Sequence, residues 1–226
     1  MQTDTNQEIQ TSILEKLVNS KQVNKTLYLH QFKNKQYDII KSEQKWTKLF
    51  ENSVLNWSKI YTNVLSATID IKLRNFQYKF VHRIIPTNKL LFKQNISVYS
   101  ICDFCSMHIE TLEHLFWECN IVQVFWSNFN NRCCFFNMDF KTDLKIVCFG
   151  EYKNCVKAKA KNGVIICAKY YSFLCKCRKT IPTFLCFKLY LSSRIDIEEQ
   201  IAFQQDKLEQ HNLKWKMFLP LAIIRG

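Results

Sequence analysis

Turn-forming residues are nearly missing from this sequence: three glycines and three prolines punctuate 226 residues. Tight strand reversals depend on them, glycine for positive φ and proline for a fixed one. A sandwich or barrel is therefore disfavoured, and long helices joined by polar turns are favoured. The same scarcity removes phosphate cradles and dinucleotide fingerprints, because Gly150, Gly163 and Gly226 lie far apart. Hydrophobic residues make up 47% of the chain, enough to build a sizeable core.

Apolar spacing supports a mostly α fold. "SEQKWTKLFE" sets Trp46, Leu49 and Phe50 at helical offsets behind a Ser42 cap, and "NWSKIYTNVLSA" does the same behind Asn56. "IDIKLRNFQYKFVHRII" aligns Leu73, Phe76 and Phe80 until Pro86 stops the helix, and "PTNKLLFKQN" starts another. "DFKTDLKIVCFG" predicts a short helix ending at Gly150. From Tyr152 to Ile181 no proline interrupts, which predicts one long helix. A second long helix is expected from Thr183 to Phe218, and "FLPLAIIRG" reads as a docked or frayed end. Three parts follow: a polar, loosely ordered arm over 1–41, a helical domain over 42–150 with a zinc knuckle at 102–119, and a basic helical hairpin over 151–226.

The chemistry concentrates in "CDFCSMHIETLEHLFWEC". Its spacing is Cys102-x2-Cys105-x8-His114-x4-Cys119. Zinc takes four nitrogen or sulfur donors in a tetrahedron, and a two-residue gap lets two sulfurs reach one ion. "ETLEHLFWEC" reads as a short helix that must tighten or end near Cys119, because its two donors sit five residues apart. His108 is the rival fourth ligand; His114 is preferred for its x4 gap to Cys119. Four donors in one run argue for a closed, structural zinc with no open position for water. No His-Glu-x2-His and no deaminase order of His and Cys occurs, so neither catalytic nor cofactor-binding residues are assigned. The other eight cysteines fall in helical patterns and need no metal. No apolar signal core and no long apolar run appear, so a reduced cytoplasmic or nuclear setting is expected, without secretion or membrane attachment.

"LRNFQYKFVHRIIPTNKLLFKQNI" followed by "CDFCSMHIETLEHLFWECNIVQVFW" resembles the zinc-binding region at the C-terminal end of LINE-type, non-LTR retrotransposon reverse transcriptases. The flanking segments extend the resemblance from about Trp46 to Trp215. It implies Cys102, Cys105, His114 and Cys119 as metal ligands, and RNA or target DNA as partner, with a retrotransposon polymerase as a further one. The chain departs from those elements in carrying no aromatic-x-Asp-Asp polymerase turn and no endonuclease domain. It therefore reads as a detached tail without polymerase activity.

Charge adds a reading of its own. Lys and Arg number 32 against 19 Asp and Glu, a net charge of +13 that favours polyanion partners. Lys72, Arg74, Lys79, Arg83, Lys89 and Lys93 lie between Ile71 and Cys102 with no acid among them. Lys153, Lys157, Lys159, Lys161, Lys169, Lys176, Arg178, Lys179 and Lys188 follow between Tyr152 and Ser192, again without an acid. Between them the sign reverses at Asp103, Glu110, Glu113 and Glu118. The expected module thus holds zinc in an acidic knuckle and meets phosphate, nonspecifically, on flanking basic helices, with RNA ahead of DNA. Phe76, Phe80, Phe116 and Trp126 read as core, Tyr78, Tyr99 and Tyr170 as stacking candidates, and His211 as a surface residue. The competing expectation is a helical protein-interaction module or inert remnant with zinc supporting the fold alone.

Overall fold

A computed structural model describes residues 40–138 and 140–222. The polar arm expected over 1–41 falls outside them except for its last two residues. Contacts divide the chain into Met1–Gln44 and Lys45–Gly226. Ten α-helices and one π-helical turn run through the described residues: α1 (Lys41–Leu49), α2 (Trp57–Ala67), α3 (Ile71–Val81), α4 (Asn88–Lys93), the π turn (His114–Glu118), α5 (Asn120–Phe135), α6 (Leu144–Phe149), α7 (Val156–Cys177), α8 (Phe184–Gln204), α9 (Leu208–Trp215) and α10 (Leu219–Ala222). No strand occurs among them, and the sole β feature is an antiparallel bridge between Ile101 and Ile109. The mostly α expectation holds.

Side-chain caps explain where several helices begin. Asn56, Asp70, Thr87, Asp143 and Thr183 each accept a backbone N–H from the first turn of α2, α3, α4, α6 and α8. Ser42 is not a cap, since α1 already begins at Lys41.

Helix ends show how a glycine-poor chain turns. Arg83, Asn95, Asn137, Lys179 and Asp206 all take positive φ, between 49° and 58°. Behind each, the next residue's N–H returns to a carbonyl five residues back: Ile84 to Lys79, Ile96 to Leu91, Met138 to Cys133, Thr180 to Cys175 and Lys207 to Ala202. This closure normally uses glycine, and here it is made by ordinary side chains. The last instance corrects an expectation. The helix predicted from Thr183 to Phe218 breaks at Asp206, and α9 folds back so that His211 lies buried with Nε2 3.2 Å from the Ile195 carbonyl. His211 is therefore not a surface residue.

Helix α7 is the hub. Nearly every residue from Ala158 to Lys176 is buried, as befits a helix covered all round. It packs against α2, α3, α6, α8 and α9. The residues on either side of Gly150, separated in the sequence reading, therefore share one core. Gly163 permits a close approach: a Cβ there would lie 2.9 Å from the Ala67 carbonyl oxygen at the end of α2. Around the hub, Trp46, Phe76, Phe80, Phe116, Phe125, Trp126 and Phe129 are all buried, so the aromatics expected in the core are there.

Candidate metal centre

The knuckle starts as a small reversal closed by backbone hydrogen bonds. Cys102 N–H donates to His108 O at 2.8 Å, Glu110 N–H to Ser100 O at 2.8 Å, and Ser106 N–H to Cys102 O at 2.9 Å. Ser106 takes φ 54° to make the tight corner. The chain then enters a short helix at Leu112, with the Thr111 hydroxyl accepting the His114 N–H at 2.9 Å.

That helix neither tightens nor keeps its α pitch; it widens. Cys119 N–H donates to His114 O at 2.9 Å, a bond spanning five residues. In an α-helix, side chains five apart point about 140° away from each other. The wider turn brings the fifth residue closer to alignment with the first, so His114 and Cys119 face one point. Displaced carbonyls find side-chain donors on α5: Trp126 Nε1 donates to Phe116 O at 2.9 Å and Gln123 Nε2 to Trp117 O.

Cys102 Sγ and Cys119 Sγ are 4.0 Å apart, and Cys105 Sγ and His114 Nε2 are 3.4 Å apart. All four donor atoms lie within 4.8 Å of one another. A tetrahedral zinc, with bonds of about 2.3 Å to sulfur and about 2.0–2.1 Å to nitrogen, would separate two sulfurs by about 3.8 Å and a sulfur and a nitrogen by about 3.6 Å. The donors fit. His108 is exposed, with Nδ1 3.9 Å from Cys105 Sγ, and stands outside the group of four.

The local field lowers the pKa of two of the sulfurs, which favours their thiolate form. The Cys102 thiol, donating to Cys119, holds Cys119 below the usual thiol range against the effect of burial, helped by the Val122 and Ile121 amides at the start of α5. Burial raises Cys105, but the Met107 and His108 amides and the His114 ring outweigh it and lower it. Cys102, as the donor to Cys119 and a buried group, is pushed up.

Residues 37–126 match the family described as zinc-binding in reverse transcriptase. All four donors lie inside the match. No curated protein matches the chain.

Three of the segment's four acids are tied down internally, and Glu118 is exposed. Lys176 of α7 pairs with Asp103 at 2.9 Å and with Glu110 at 2.8 Å. Burial alone would lower the Lys176 pKa, but these two carboxylates raise it, and Asp103 is lowered in turn by Lys176 and Asn88 despite burial. Arg83 pairs with Glu113 and lies 4.3 Å over the Trp46 ring. The sign reversal read from the sequence is thus largely neutralised in space.

The predicted basic residues separate accordingly. Lys72, Lys79, Lys89, Lys93, Lys153, Lys157, Arg178 and Lys179 are exposed, and Lys159 is half-buried. Three belong to the interior, which corrects their assignment to a phosphate-facing surface. Lys161 pairs with Glu151, Lys176 with Asp103 and Glu110, and Lys169 donates to Gln77 Oε1 at 2.7 Å and Cys148 O at 3.2 Å. Arg74 is partly withdrawn too, donating from Nε to Thr68 O and from its terminal nitrogen to Leu65 O. Of the stacking candidates, Tyr78 and Tyr99 are exposed and Tyr170 is half-buried. Sequence reasoning assigned Lys176 to the phosphate-facing surface and did not single out Asn88. The available signal was the run of acids beside an apolar stretch, which demands cations from elsewhere in the chain.

Proposed function

We propose that this chain is a non-catalytic nucleic-acid-binding module, braced by a structural zinc, of the kind carried at the tail of LINE-type reverse transcriptases. One observation carries the reading. Lys72, Lys79, Lys89, Lys93, Lys153, Lys157, Arg178 and Lys179 are exposed, and none forms an ion pair among the described residues. Asp70, Asp103, Glu110 and Glu151 are engaged by Arg194, Lys176 and Lys161, which leaves this positive charge for an external polyanion. Contacts of this kind bind phosphate without reading bases, which favours weak sequence preference.

Equilibrium binding to a fluorescent single-stranded RNA across a salt series tests it. Each neutralised phosphate contributes about −0.7 to the slope of log K against log salt for a single strand. Engagement of four or more cations predicts a slope of about −2.8 or steeper. Absence of binding at low salt, by folded and zinc-loaded protein, would sink the proposal. That result would favour a protein partner, a reading supported by exposed apolar side chains beside the knuckle: Ile96, Val98, Met107 and Ile109 are 70%, 90%, 63% and 50% exposed.

A further inference from the structure

The zinc-binding match ends at residue 126, yet the side chain that holds the knuckle's acids together lies well beyond it. Lys176 Nζ donates to Asn88 Oδ1 at 2.7 Å and reaches Asp103 Oδ2 at 2.9 Å and Glu110 Oε1 at 2.8 Å. Lys176 is 7% exposed and Glu110 is wholly buried. Glu110 also accepts the Asn88 N–H on Oε1 at 2.8 Å and the Asp103 N–H on Oε2 at 3.4 Å. Asn88 Nδ2 completes the circuit, donating to Ile101 O at 2.7 Å and Asp103 Oδ2 at 3.0 Å. The network therefore fastens both limbs of the loop that carries Cys102 and Cys105 to the start of α4 and to the hub helix.

We propose that Lys176 is a positioning residue for the metal centre: its ammonium holds the Cys102–Glu110 loop in the conformation that presents sulfur to zinc, making α7 a working part of the site. The inference rests on reading the four donors as a zinc site. A buried carboxylate is costly unless paired, and removing its partner alone is far worse than removing both. Without the ammonium, Glu110 must take up a proton or reach water, and reaching water opens the loop. Residues behind metal ligands commonly set affinity by 10–100-fold. The closed centre, with three thiolates on one Zn²⁺, is itself net negative, so the ammonium does not oppose loading.

The test is zinc affinity of the full chain, by competition with a chromophoric chelator, for wild type, Lys176→Met and Lys176→Met/Glu110→Gln. Cobalt substitution reports whether the sulfur and nitrogen ligand set is retained. We expect Lys176→Met to bind 10–100-fold more weakly with an unchanged cobalt spectrum, and the double variant to recover at least fivefold of that loss. Wild type that takes up no zinc overturns the four-donor reading. Wild type that loads, with Lys176→Met equally tight, overturns this proposal alone, and so does a double variant no tighter than the single. If Lys176→Met does not fold, hydrogen exchange of the Asn88 amide in zinc-stripped wild type decides. Slow exchange shows the network holding the loop without metal, and exchange at the rate of an open loop overturns it.

Discussion

Lys169 sits in the hub helix with 1% exposure, its amine over the Phe80 ring at 3.9 Å, and with neutral acceptors alone. The facing titratable group is the Cys148 thiol, itself pushed up to about 12 by burial. Burial pushes the lysine down to about 7, while an unfolded lysine titrates near 10.4. Between those values the unfolded chain holds a proton that the folded protein has shed, so stability rises with pH across that window. Lys169→Met should flatten the rise, by on the order of a few kcal/mol between pH 7 and pH 10. Urea denaturation of both proteins, reduced and zinc-saturated, reads this; parallel curves would contradict it. At the metal centre, His114→Ala should abolish stoichiometric zinc. We expect it to lower the melting temperature by about 5–10 °C, the equivalent of a few kcal/mol for a chain of this size. Unchanged melting would mean that the donors brace nothing.

At the scale of elements, five helices end on a left-handed residue that is not glycine. The strain is about 1 kcal/mol or more for a typical side chain and less for Asn or Asp. Asp206 is exposed and, among the described residues, its side chain makes no hydrogen bond or ion pair that a glycine would lose. Asp206→Gly is therefore expected to stabilise by about 0.5–1 kcal/mol, visible as a higher urea midpoint at constant slope. A lower midpoint would mean that this turn is held by the aspartate itself. The same residues mark the limit of sequence reading. Helix bodies were legible because Leu73, Phe76 and Phe80, or Phe187, Leu191 and Ile195, repeat at the helical period and are buried. The break at Asp206 was not, because no glycine or proline announces it. The four donors were legible from spacing, but the π turn that aligns His114 with Cys119 was not: five-residue spacing reads equally well as a helix that simply ends. Lys161, Lys169 and Lys176 were misread because a run of lysines carries no local sign of which face the fold will cover.

Over the whole molecule, charge is sorted by depth. Interior cations are matched to Glu151, to Asp103 and Glu110, or to neutral acceptors, and among the described residues exposed Lys72, Lys79, Lys89, Lys93, Lys153, Lys157, Arg178 and Lys179 form no ion pair. Substituting Lys153, Lys157 and Lys159 together by glutamine should reduce the salt slope of RNA binding by about 2, with the melting temperature nearly unchanged. An unaltered slope would move the contact surface elsewhere. Lys161, between the same turns, is the wrong choice for such a series because its loss would strand Glu151.

The reach from Asp103 to Lys176 spans 73 positions along the chain. A ribosome adding about 5–20 residues each second needs about 4–15 s to cross that gap. For the last 57 of those positions, about 3–11 s, a nascent chain has made all four donors, Cys119 being the last, while their cationic fastener does not yet exist. The order of translation thus makes early metal capture and final docking two separate events.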